Sequence, residues 1–267
     1  MGVEVRGLSA ALLLGALLVA TSSWAQTPRA VDIPTRPGVT QRVLLLGPER
    51  PRAAVVLFAG GHGGLQITAS GSLKWGEGHF LVRSRQLFAS HELLVAVVDA
   101  PSDRQHPPHL SGFRQRPEHV ADIKALIAWL KQQADVPVWL VGTSRGTQSV
   151  AFLATQVPQA AGGPDGIVLT ATVLTDRPGS RPVPAMPLRE ITVPALVVHH
   201  KQDACEHCKY TDLPKLMDGL TRAPRKELLG FDGGTSRGDP CEAMAYHGFN
   251  GIERDVVAKI AAWITQK

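Results

Sequence analysis

Apolar residues along this chain gather into short unbroken runs, and between the runs they recur every three or four positions. The first two runs, "QRVLLLG" (41–47) and "AAVVLFAGG" (53–61), lie close enough together to form a hairpin or an edge pair. "LLVAVVDAP" (93–101), "VPVWLVG" (136–142), "DGIVLTAT" (165–172), "VPALVVHH" (193–200) and "RKELLG" (225–230) follow. Runs with no polar alternate predict strands buried on both faces, as parallel strands covered by helices are. Helical patterns separate them at 79–91, 117–135, 146–156, near 212–221 and at 251–266. In the second of these, Val120, Ile123, Leu126, Ile127 and Leu130 form one stripe, with Pro117 near its start. Strand–helix alternation over this length predicts an α/β fold with a doubly wound, mostly parallel sheet flanked by helices. The stretch 173–191 holds Pro178, Pro182, Pro184 and Pro187 and reads as a loop-like insertion, too short for a large lid.

Composition narrows the class without naming a chemistry. The 267 residues are 44% hydrophobic and 19% charged, ordinary for a globular domain. A net charge of +5 without a Lys/Arg cluster along a helix argues against nucleic acid as a partner. The first 25 residues are expected to be a signal peptide: "MGVEVRG", the apolar "LSAALLLGALLVA", then "TSSWAQ" with Ser23 and Ala25 at the small positions and cleavage before Gln26. The apolar stretch of 13 residues falls short of the roughly 20 that span a bilayer; an uncleaved N-terminal anchor is the competing reading. Residues 26–267 are then one exported domain, periplasmic or extracellular, with no stable membrane insertion after cleavage.

Export changes how the three cysteines read. An oxidising compartment permits one disulfide, between Cys241 and either Cys205 or Cys208. The alternative is a metal, because "HHKQDACEHC" packs His199, His200, Cys205, His207 and Cys208 together. Consecutive strand residues point to opposite faces, however, and no second Cys pair stands at zinc-ribbon spacing, so no metal is expected.

The segment "VGTSRG" (141–146) carries the chemistry. An apolar strand runs into Ser144, a helical pattern leaves it, and Gly142 and Gly146 flank it where a sharp turn brings two backbones together. With this strand–turn–helix the chain resembles the α/β-hydrolase fold family over nearly all of its mature length. The resemblance implies a triad in the order Ser, acid, His. Asp203 follows the strand "VPALVVHH", and His247, in "AYHGFNG", precedes the last helix. Ser144 would attack a carbonyl, His247 would take and return its proton, and Asp203 would fix the imidazole tautomer. Asp232 and Asp239 are the substitute acids.

The resemblance also implies an oxyanion hole made by the backbone N–H of Arg145 and one from "FAGGHGG" (58–64), assigned to Gly61 with Gly60 or His62 as near alternatives. His62 precedes the nucleophile and is not expected to be the base. The glycines lack the Lys-Ser/Thr of a phosphate loop, so no nucleotide or other cofactor is expected. A Cys205–Cys241 bridge would staple the acid loop to the histidine loop, with Cys208 the alternative partner. Trp75 and Phe80 are read as pocket or core residues. Asp99, Asp103, Arg104, Phe113 and Arg114 are read as rim residues, because they follow a strand at the ligand-binding end of such sheets. The Arg145 side chain either meets a substrate carboxylate or pairs with Asp or Glu. The expected activity is hydrolysis of a small or polymeric carboxylic ester. Peptidase, amidase or thioesterase chemistry on the same triad, and a non-catalytic binding protein, are the alternatives.

Overall fold

In the computed structural model, which describes residues 1–2, 26–175 and 181–266, the apolar runs become the strands of one eight-stranded sheet. The expected signal peptide thus falls, apart from its first two residues, outside the described residues. Six strands run parallel: β3 (Ala53–Phe58), β4 (Leu93–Val98), β5 (Val138–Thr143), β6 (Gly166–Thr170), β7 (Ala195–His200) and β8 (Lys226–Phe231). β3 to β7 are buried along their whole length, which is why their sequences show no polar alternation. At the β8 edge the burial is partial.

The expected pairing of the first two runs is corrected by the structure. β2 (Val39–Gly47) does not pair with β3; β4 lies between them, in the order β1-β2-β4-β3-β5-β6-β7-β8. The hairpin partner of β2 is β1 (Gln26–Arg36), joined through Pro37 and Gly38, whose φ of +71° suits a tight turn. Gly47 ends β2 at φ +145°, where a Cβ would stand 2.7 Å from the Leu93 carbonyl oxygen.

Helices cover both faces. On one, α3 (Pro117–Gln133), α4 (Gly146–Gln156) and α5 (Leu213–Gly219) pack Ile123, Leu126, Val150, Leu153 and Leu216 against Val56, Phe58 and Leu140. On the other, α1 (Phe80–Arg83), α2 (Arg85–Ser90) and α6 (Glu253–Ile264) pack Phe80, Phe88, Val256, Ile260 and Trp263 against Val55, Leu57 and Val141. The single helix expected over 79–91 is two pieces, because Ser84 leaves helical geometry at φ −91°, ψ 1°. Between β6 and β7 the described residues form only short turns, at Val183–Ala185 and Leu188–Glu190, and no large lid. No helix among the described residues is long and apolar enough to cross a membrane. The carboxyl ends of β3, β5 and β7 face one end of the sheet, and the loops leaving them meet there.

Candidate active site

β5 ends at Thr143 and α4 begins at Gly146, so Ser144 and Arg145 make the whole turn. Ser144 sits at φ +50°, a left-handed conformation that costs a side-chain-bearing residue roughly 1–3 kcal/mol. Its neighbours hold it there. A Cβ on Gly142 would lie 2.6 Å from the Gly146 carbonyl carbon, and one on Gly146 would lie 2.2 Å from the Phe58 oxygen. The turn therefore closes only with glycine at both positions, and Gly146 presses the start of α4 onto the end of β3. The Ser144 N–H donates to the Thr170 carbonyl at 3.0 Å, tying the turn to β6. Ser144 is left half-buried at the positive end of the α4 dipole.

Asp203 lies in the turn after β7, and both its oxygens are committed. Oδ1 accepts the Cys205 N–H at 3.0 Å, and Oδ2 accepts from His247 Nδ1 at 2.9 Å. A carboxylate only accepts, so Nδ1 carries the proton and Nε2 keeps its lone pair. That Nε2 is buried and makes no hydrogen bond among the described residues. Neither substitute acid meets His247: Asp232 is exposed and pairs with Lys201 at 2.6 Å, and Asp239, though it lines the same cavity as Ser144, accepts the Cys241 N–H at 2.8 Å.

Ser144, Arg145, His247, Gly61, Trp75 and His79 line one cavity of about 460 Å³, with Phe80 also on its wall. Gly61 has φ +55°, and a Cβ there would meet the Trp75 ring at 2.8 Å. Gly60 backs directly onto Ser144, its ideal Cβ 3.1 Å from the Ser144 Cβ. Burial, with a smaller repulsion from His247, pushes His79 down to about 4, so it is a neutral polar wall at neutral pH. His62 is stacked between Trp75 (3.7 Å) and His109 (4.6 Å), and its Nδ1 accepts the Gly64 N–H.

The rim reading of 99–114 is corrected. Asp99 is fully buried and accepts the N–H groups of Leu65, Gln66, Ile67 and Ala100 at 2.7–3.0 Å, so it organises the loop after β3. Asp103 pairs with Arg36 at 3.1 Å, and the Arg104 guanidinium lies over the buried Phe113 ring at 4.7 Å. Arg114 is buried beneath the 59–61 backbone. None of the five lines the cavity. For Asp99 and Arg114 residue type gave no sign of this, because most of their partners are main-chain groups distant in sequence. Arg145 reaches Ser111 Oγ at 3.4 Å.

The His/Cys cluster also resolves into separate duties. His199 Nε2 accepts the Thr172 N–H, His200 Nε2 donates to the Gly233 carbonyl, and His207 contacts Glu206 at 3.2 Å. Cys205, Cys208 and His247 bring ligand atoms within 4.8 Å of one another, but Cys205 is bonded to Cys241. The disulfide joins the loop that carries Asp203 to the loop before His247 across 36 residues. By chain entropy such a link stabilises by about 3–4 kcal/mol. Cys241→Ser is therefore expected to lower the urea midpoint substantially, and coincident midpoints with wild type would contradict that role.

Comparison with protein-family models and with curated proteins returns no match. Solved structures do resemble the chain. An esterase from Pyrococcus furiosus superposes with a TM-score of 0.63 at 13% identity, over 89% of this chain and 90% of that one. A dienelactone hydrolase from Anabaena variabilis gives 0.61 at 13%, over 90% and 95%. A zinc-bound, cold-adapted esterase from an Arctic intertidal metagenomic library gives 0.59 at 14%, over 92% and 95%. The chain has the α/β-hydrolase fold.

Proposed function

We propose that the protein is a carboxylic-ester hydrolase that works through an acyl-enzyme on Ser144. The observation that carries this reading is the Asp203–His247 hydrogen bond, with His247 lining the same cavity as Ser144. Ser144 Oγ attacks the ester carbonyl carbon as His247 Nε2 takes its proton. The oxyanion is received by the N–H groups of Gly61 and Arg145. Collapse breaks the bond to the alkoxide, which leaves with the Nε2 proton as an alcohol. Water then attacks the acyl carbon, gives its proton to Nε2, and Ser144 leaves with that proton as the acid departs. Asp203 stabilises the imidazolium in both halves. No cofactor or metal enters the sequence of steps.

The cavity, walled by Trp75 and Phe80, suits a small ester better than a long acyl chain. Hydrolysis of p-nitrophenyl acetate or butyrate is expected to exceed that of the palmitate at least about tenfold in kcat/KM. A fluorophosphonate is expected to label the wild-type protein, with labelling abolished in Ser144→Ala. Folded protein that takes no label would sink the mechanism in favour of a binding role, and an amide or thioester turned over faster than any ester would move the substrate class. The pattern of 1–25 and the Cys205–Cys241 bridge support an exported, single catalytic domain over 26–267.

A further inference from the structure

The guanidinium of Arg114 is enclosed under the loop that follows β3, only 4% exposed, and makes no ion pair among the described residues. Taking a charge out of water without a counter-charge costs several kcal/mol, so its surroundings must solvate it. They do so almost entirely with main-chain oxygens. Nη2 donates to the carbonyls of Ala59 (3.0 Å), Gly61 (3.3 Å) and Gly60 (3.5 Å), and Nη1 donates to Ser149 Oγ (3.0 Å). Nε has no partner. The loop is shaped around the group: a Cβ on Gly63 would stand 2.5 Å from Nη2.

Those three carbonyls belong to the peptide units whose N–H groups are those of Gly60, Gly61 and His62. Any of the three residues that could complete the oxyanion hole therefore has its peptide oxygen on Arg114. In a trans peptide the C=O and N–H point in opposite directions. Carbonyls gathered onto a buried cation aim their N–H groups the other way, and Gly60 and Gly61 border Ser144 and the cavity. A cation on the oxygen also polarises the amide and makes its N–H a stronger donor. The charge itself raises the positive potential where the oxyanion forms, in a site of low dielectric. Ser149 lies on α4, one turn beyond Arg145, so the same guanidinium ties the loop to the nucleophile's helix.

We propose that Arg114 is a positioning residue for the oxyanion hole, holding the 59–61 backbone by its carbonyls and strengthening the N–H groups that receive the oxyanion. The inference rests on the acyl-transfer reading of Ser144. It assigns Arg114 an effect on the transition state that a purely structural plug would lack.

The test compares wild type, Arg114→Met, Arg114→Lys and Ser149→Ala by thermal melting, by kcat and KM on p-nitrophenyl acetate, and by inhibition with two ligands. One is a trifluoromethyl ketone, which forms a tetrahedral anionic adduct on the serine; the other is the matching methyl carbinol, which forms none. Arg114→Met is expected to lose about 10²–10³-fold in kcat with KM within about threefold. Its affinity for the ketone should fall by a comparable factor, and its affinity for the carbinol should not. Arg114→Lys, which keeps the charge but is shorter and lacks the second nitrogen that reaches Ser149, should lie between. Folded Arg114→Met with wild-type kcat, or equal losses for both inhibitors, overturns the proposal. If Arg114→Met does not fold, Arg114→Lys decides by the same two inhibitors, and wild-type kcat and ketone affinity there overturn it. A wild-type protein that fluorophosphonate does not label overturns the acyl-transfer reading and this inference with it, whereas a labelled wild type beside a folded Arg114→Met of wild-type kcat and ketone affinity overturns this inference alone.

Discussion

Asp203→Asn is expected to lower kcat about 10⁴-fold while the protein stays folded. The size follows from what each carboxylate oxygen accepts. Oδ1 takes the Cys205 N–H and Oδ2 takes the His247 Nδ1 proton, so both positions demand an acceptor. An asparagine of the same shape supplies one acceptor and one donor. Its oxygen goes to the Cys205 N–H, which is fixed in the backbone and buried and cannot turn away. Its NH₂ then faces His247 Nδ1 and is satisfied only if that nitrogen carries the lone pair. The proton moves to Nε2, the one nitrogen that has to be empty to take the proton of Ser144. Steady-state kcat on p-nitrophenyl acetate, with the melting temperature measured alongside, checks this. A folded variant that loses less than about tenfold would remove Asp203 from the mechanism.

The parts of this site that could be read from sequence are those encoded locally. The elbow is legible because strand, glycines and serine are consecutive in 138–146, and the apolar strands are legible because burial on both faces leaves no polar alternate. β1 escaped because it pairs only with β2, carries Pro28 and Pro34, and offers only Val31 and Ile33, split by Asp32, as an apolar pattern. Proline is tolerated at such an edge, so its presence misdirects. Cys205 and Cys208 were equivalent by spacing. The structure bonds the first to Cys241 and leaves Cys208 buried one turn on, its N–H on the Cys205 carbonyl at 2.9 Å. Arg114 and Asp99 were misplaced for a different reason. Most of their partners are main-chain oxygens and N–H groups some 30 to 55 residues away, and a backbone group leaves no trace in residue type.

Acid should unfold this protein early, and the two most deeply buried histidines, His119 and His199, carry most of the effect. His119 and His199 are both completely buried, and burial is the main cause that pushes them down to about 3 and about 4. Arg114 and Arg36 add to the shift at His119. At His199 the pull of Asp203 opposes it only in part. Both folded values lie below the roughly 6.5 of an unfolded histidine, so between them the unfolded chain binds protons that the folded chain refuses. Stability is complete above about pH 7 and is lost as pH falls toward 4. Each group contributes up to about 1.4 kcal/mol per pH unit, so two over the range 6.5 to 4.5 remove about 5 kcal/mol, comparable to the whole stability of many domains. Geometry says where the damage starts. His199 Nε2 accepts the Thr172 N–H, and a protonated ring cannot, so protonation parts the ends of β6 and β7 just before the turn that carries Asp203. Urea unfolding at pH 7.5, 6.5, 5.5 and 4.5 is expected to show the free energy falling with a limiting slope of at least two protons, to which the partly buried His79 adds in the same direction. His199→Gln, which retains an acceptor but cannot titrate, should reduce that slope by about one. An unfolding free energy that stays level from pH 7.5 to 4.5 would mean that these imidazoles are not held neutral in the fold.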